Sequence, residues 1–128
     1  MMTVPSIHKT GISAVNRQMG ADDMSVLSGE MRFNEPMSRH TSWRAGGKAK
    51  RFYIPVDEQD LVRMLSSLQD SEQVYVIGLG SNLLVRDGGV QGTIIGLHAR
   101  LDALQLIEHT DTDGLVYAGA GVACAKVA

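Results

Sequence analysis

Hydrophobic spacing changes twice in the middle of the chain. Arg51-Phe52-Tyr53-Ile54 is a compact β-forming run stopped by Pro55, which predicts a short strand over 51–54. From Asp57 the spacing becomes helical: Leu61, Met64, Leu65 and Leu68 recur at i, i+3, i+4 and i+7 and predict a helix to about Gln69. Asp57 is suited to the N-cap, and Glu58 and Asp60 fall in the first turn, where the helix dipole favours negative charge. Val74-Tyr75-Val76-Ile77 is again continuous and β-branched, a second strand. Strand, helix and strand with short connections predict a βαβ unit with parallel strands and a right-handed crossover. Further apolar runs predict short strands near 83–85, 92–97 and 101–107. Asp111-Thr112-Asp113-Gly114 signals a hairpin turn before a last strand over 115–118. Gly119-Ala120-Gly121 is a second glycine-rich turn, and 122–128 reads as the first turns of a helix.

Elsewhere the pattern is weaker. Residues 1–30 mix Ser, Gly, Asp, Lys and Met without a sustained period and read as a poorly ordered extension, with a weak helical stretch within 12–19. Met31 is a possible alternative start. Residues 34–50 are polar and loop-like around the Gly46-Gly47 pair.

The 128 residues suffice for one modest domain with a real core. A net charge of −2 gives no electrostatic case for nucleic acid or an anionic membrane as partner, and 5% aromatic content argues against a base-stacking surface. The single Cys124 excludes a disulfide framework. No apolar run is long enough for a bilayer, and the N-terminus has no signal-peptide core, so a cytoplasmic location is expected.

Candidate chemistry begins where the second strand ends, at Ile77-Gly78-Leu79-Gly80-Ser81-Asn82-Leu83-Leu84-Val85-Arg86-Asp87-Gly88-Gly89. Backbone without Cβ atoms, flanked by a hydroxyl and an amide, can wrap closely around a phosphate. The same residues also suit a plain tight turn between strands. The Rossmann fingerprint is not met, because Leu83 stands where a third Gly or Ala is wanted and a strand is expected next. A P-loop is absent as well, since Gly47-Lys48 precedes Ala49. A phosphate here would sit in a concavity of backbone N–H groups, with Ser81 and Asn82 as added donors.

Asn34-Glu35-Pro36-Met37-Ser38-Arg39-His40-Thr41-Ser42-Trp43-Arg44-Ala45-Gly46-Gly47, followed by strand, helix, strand and the glycine loop, resembles the opening of the UDP-N-acetylenolpyruvoylglucosamine reductase family. The likeness runs from about Met31 to Ala128, and the two motifs at this separation are specific together. The resemblance implies an α+β fold: residues 31–128 as the N-terminal, incomplete part of an FAD-binding domain of the vanillyl-alcohol-oxidase (PCMH) type, truncated after a βαβ unit and short strands, without the substrate domain. It implies FAD as bound cofactor, NADPH as hydride donor and a UDP-sugar enolpyruvate as substrate, in the step that completes UDP-N-acetylmuramate for peptidoglycan. By the same likeness Gly78, Leu79, Gly80, Ser81, Asn82 and Leu83 hold the FAD pyrophosphate, Thr41 and Arg44 belong to the segment lining the same cleft, and Gly119–Gly121 turns beside the cofactor. The family's catalytic arginine, serine and glutamate fall after the point matching Ala128, so no catalytic residue is assigned and the chain is expected to be inactive alone, with weak FAD binding or none. A related FAD-dependent oxidase and a non-catalytic nucleotide-binding module remain the alternatives.

The other candidates carry plainer readings. His8, His40, His98 and His109 share no metal-ligand spacing, and no metal site is expected. His40 reads as a surface or capping histidine and Cys124 as a small buried hydrophobe. Trp43 could pack against a flavin or staple its loop to the core, and packing is the favoured reading. Arg44 could meet a phosphate or an acidic neighbour, and Arg86-Asp87 suits a turn before Gly88-Gly89.

Overall fold

The computed structural model of the chain describes residues 26–98 and 100–128. Strands β1 (Glu30–Pro36), β2 (Lys48–Ile54), β3 (Val74–Ile77) and β4 (Val90–Gly96) form one sheet in the order β1-β2-β4-β3. β1 is antiparallel to β2, whereas β2, β4 and β3 are parallel. Helix α1 (Glu58–Ser67) connects β2 to β3, so the expected βαβ unit is present, with β4 inserted between its two parallel strands. Strands β5 (Leu104–His109) and β6 (Gly114–Ala118) form a separate antiparallel hairpin. The fold class is α+β, a mixed sheet with one helix.

Alternation sends neighbouring side chains to opposite faces of the sheet. Tyr53, Val74, Ile95 and Leu97 pack with Met64 and Leu68 of the α1 side. Phe52, Ile77 and Ile94 pack on the other face with Met37, Leu83 and Val85. The second face is thus covered by irregular chain, the 37–47 strap and the 78–89 loop, instead of a helix. β4 is buried on both faces, as its unbroken Thr93-Ile94-Ile95 run requires.

The start of α1 is fixed by carboxylates. Asp57 caps it by accepting from the Asp60 amide at 2.7 Å. Asp60, fully buried, accepts from the Tyr53 hydroxyl at 2.7 Å and from the Ser28 and Val56 amides at 2.9 and 3.1 Å. Burial pushes the Asp60 carboxyl up, but these hydrogen bonds outweigh it and hold the group below its ordinary value. Burial, then the bond to Asp60, pushes the Tyr53 phenol up to about 12. Glu72 pairs with Arg51 and accepts from the Thr93 hydroxyl at 2.9 Å, tying the segment before β3 to β2 and β4.

Several sequence expectations need correction. Residues 34–36, read as loop, belong to β1, and β2 begins at Lys48, before the predicted 51. β1 is an edge strand whose charged residues mask its alternation. Residues 83–85 form no strand: Leu83 and Val85 are buried and Leu84 is exposed, which mimics strand alternation, but this segment pairs with no strand. The strand predicted at 101–107 runs from Leu104 to His109. The terminal helix shrinks to a 3-10 turn, Cys124–Lys126, and Cys124 is exposed, contrary to its buried reading. Of the expected extension, residues 1–25, with the stretch 12–19, lie outside the described residues. Residues 26–30 are tied down through Ser28 and Gly29, whose amide donates to the Tyr53 hydroxyl at 3.0 Å. Among the described residues no helix is long and apolar enough to cross a membrane.

Candidate functional site

The two motifs are far apart in sequence and meet in space. The 37–47 strap leaves β1, turns through the 3-10 segment Met37–Arg39 and closes on itself, with the Met37 amide donating to the Gly47 carbonyl at 3.1 Å. The glycine loop leaves the end of β3. The contact between them is backbone on backbone: the Ser42 amide donates to the Gly80 carbonyl at 3.2 Å. Gly80 has a φ of +68°, and a Cβ placed there would collide with the His40 carbonyl. A second docking point lies further along, where the Gly47 amide donates to the Arg86 carbonyl at 3.0 Å. The expected turn at Arg86-Asp87 closes with the Gly89 amide on the same carbonyl at 2.9 Å.

Between strap and loop opens a cleft of about 540 Å³. Its floor is the carboxyl ends of the three parallel strands, marked by Ile54, Ile77 and Gly96. Ligands of open parallel sheets bind at that end of the strands. Gly96 leaves space for the Phe52 ring, which a Cβ there would meet at 2.8 Å. Gly78 lies at the rim, and a Cβ on it would find nothing within 4 Å, so its bare backbone faces open space. The walls carry Arg32, Arg39, Arg44, His40 and His98, a basic lining in a chain of net charge −2.

One buried carboxylate faces that lining. Glu35, only 5% exposed, accepts from His40 Nε2 at 2.8 Å and from Arg32 Nη1 at 3.2 Å, with Arg39 at 4.0 Å. Burial pushes the Glu35 carboxyl up; the hydrogen bonds from His40 and then Arg32 outweigh it and hold the group below its ordinary value. The His40 ring stacks on Phe52, with centroids 4.2 Å apart and planes 23° from parallel.

Of the residues expected at a cofactor, Thr41, Arg44, Gly78 and Leu79 line this cleft together. The Thr41 hydroxyl donates to the Ala45 carbonyl at 3.1 Å, so this side chain shapes the strap's own turn. Arg44 is exposed and has a φ of 51°, a left-handed conformation uncommon outside glycine. Gly80 is buried behind the rim against His40, and Leu83 is buried in the core. Ser81 and Asn82 are exposed and stand outside the cleft lining. The Gly119–Gly121 turn packs on the segment after β4, with the Gly121 amide donating to the Leu101 carbonyl at 3.1 Å. Trp43 is 72% exposed and does not staple the strap to the core, which Met37 does instead. Sequence reasoning missed Glu35, Arg32 and Phe52, and it undervalued His40. The one signal in the sequence was the adjacency of His40 to the Thr41 motif. Among the described residues no group of His, Cys, Asp and Glu is arranged to hold a metal ion.

No protein-family model matches the chain. Whole-chain comparison finds relatives named UDP-N-acetylenolpyruvoylglucosamine reductase. That of Nitrosospira multiformis is 58% identical over 106 residues, 83% of this chain and 30% of the relative. That of Nitrosomonas eutropha is 55% identical over 106 residues, 83% of this chain and 32% of the relative. That of Alkalilimnicola ehrlichii is 47% identical over 109 residues, 85% of this chain and 35% of the relative. The chain spans about a third of the length of these curated relatives. Over that matched length the chain is a homologue of the UDP-N-acetylenolpyruvoylglucosamine reductases.

Proposed function

We propose that residues 31–128 are the first part of a PCMH-type FAD-binding domain, and that the strap–loop cleft takes the diphosphate end of FAD. The protein's reaction on this reading is the NADPH-linked reduction of UDP-N-acetylglucosamine enolpyruvate to UDP-N-acetylmuramate, in peptidoglycan synthesis. The single observation that carries the reading is Gly78: bare backbone at the carboxyl ends of parallel strands, facing open space and flanked by Thr41 and Arg44. A Cβ would fill the space that a phosphate group needs. Arg39 and Arg44 on the walls suit a diphosphate, and the cleft volume falls in the range of small-ligand sites.

FAD, when bound, supplies the hydride chemistry. The residues of this chain have a narrower task. Gly78 and Leu79 present backbone to the phosphates, Arg44 offers a cation at the rim, and Gly80 fixes the distance between loop and strap. Ser81 and Asn82 lie on the loop beyond the cleft lining and Leu83 anchors it in the core, so the phosphate contacts of the loop fall to Gly78 and Leu79. None of these residues moves a proton in the reaction, and the chain alone should turn over no substrate.

Expressed at its relatives' full length, the protein should purify yellow with stoichiometric FAD and oxidise more than one equivalent of NADPH per flavin, in the absence of oxygen, only when the enolpyruvyl substrate is present. A folded, colourless protein that takes up no FAD on titration contradicts the reading.

A further inference from the structure

His40 grips two different parts of the fold, one with its ring and one with its backbone. Its ring lies on Phe52 of β2 and donates to Glu35 of β1. Its carbonyl occupies the hollow that Gly80 leaves in the glycine loop, and two residues on the Ser42 amide bonds the Gly80 carbonyl. Sheet and loop are therefore linked through one residue. Glu35 is the anchor: it is buried at the end of β1, and it holds Arg32 as well as His40, both of which line the cleft.

We propose that Glu35 and His40 form a positioning pair for the dinucleotide cleft, with the buried carboxylate fixing the His40 ring on Phe52 and thereby the separation between the strap and the glycine loop. The inference rests on the FAD reading. Neither residue touches the phosphates; they act through the backbone of residues 40–42 and 80. A charge-assisted hydrogen bond is stronger and shorter than a neutral one, so it holds a loop more tightly than a solvent-exposed contact could. The stacked ring adds a planar constraint that a flexible side chain would lack.

The test uses the full natural protein carrying these residues, well below its unfolding temperature, so that every variant is folded. His40→Ala and Glu35→Gln should each weaken FAD binding about tenfold, and the double variant should lose no more than the worse single one. The ³¹P resonances of bound FAD should move in each variant, and His40→Gln, which can still donate to Glu35, should bring both readouts part of the way back. A merely structural role would lower the melting temperature and leave affinity and ³¹P positions as in the wild type, which overturns the inference. Additive losses in the double variant would overturn it too. A wild-type protein that binds no FAD would remove the flavin reading itself, and the positioning role with it.

Discussion

Gly78 and Gly80 are two positions apart and do different things. Gly80 belongs to the fold, because a Cβ there collides with the His40 carbonyl and its φ of +68° strains any L residue. Gly80→Ala should therefore destabilise the protein by about 2 kcal/mol or more, read by thermal or urea melting. Gly78 has open space around it, so Gly78→Ala should leave stability within about 0.5 kcal/mol. Equal losses at the two positions would contradict this division. The Gly-x-Gly pattern was legible in the sequence, but not which glycine served what. That depends on the strap lying across the loop, a contact between residues about forty apart. Tyr53 makes a similar point. Its neighbours predict only strand, yet its hydroxyl completes the shell of buried Asp60. Tyr53→Phe should cost about 1–3 kcal/mol, more than a surface phenol would, because a buried acceptor loses a donor.

Helix α1 was the most legible element, since its cap, first-turn acids and apolar face all agree. Asp57→Ala should cost about 1 kcal/mol through the lost cap, and Met64→Ala about 2–5 kcal/mol through the cavity beneath the helix; denaturant midpoints measure both. β1 was not legible, because an edge strand with Arg32, Asn34 and Glu35 in its run reads as polar loop. Its pairing with β2 is set by main-chain register, and Asn34 interrupts it with a φ of 52°. The 83–85 segment failed in the opposite direction: alternation identified its buried residues, Leu83 and Val85, but burial beneath a strap needs no strand. The elements should also differ in local stability. β4 is covered on both faces, whereas every residue of β5 and β6 is exposed. Amide exchange should be slowest in β2 and β4 and fastest in the β5–β6 hairpin.

Across the whole molecule, three embedded carboxylates govern the response to acid. Glu35, Asp60 and Glu72 are each held below their ordinary values of 4.5, 3.8 and 4.5. In each case burial pushes the group up, and hydrogen bonds outweigh it: from His40 and Arg32 for Glu35, from Tyr53 and the Ser28 and Val56 amides for Asp60, and from Arg51 and Thr93 for Glu72. A depressed folded pKa means that the unfolded chain binds more protons, so stability rises with pH through this range. The contribution is fully present above about pH 5 and is lost as pH falls through the folded values. Urea midpoints should be flat from about pH 7 to 5 and fall steeply below, with a shallower fall in Glu72→Gln. The basic cleft emerges only at this scale, since its walls come from β1, the strap, the glycine loop and the segment after β4. The family motifs in the sequence located two of those walls; Arg32, the one cation of β1, needed the sheet order to place it. The proposed placement of FAD in this cleft depends on Gly78 leaving room for a phosphate, and flavin retention by Gly78→Val in the full natural protein reads that out. The expected result is a folded protein that loses its FAD on dialysis and then melts as the FAD-free wild type does. A Gly78→Val protein that keeps stoichiometric FAD would contradict the placement of the cofactor in this cleft.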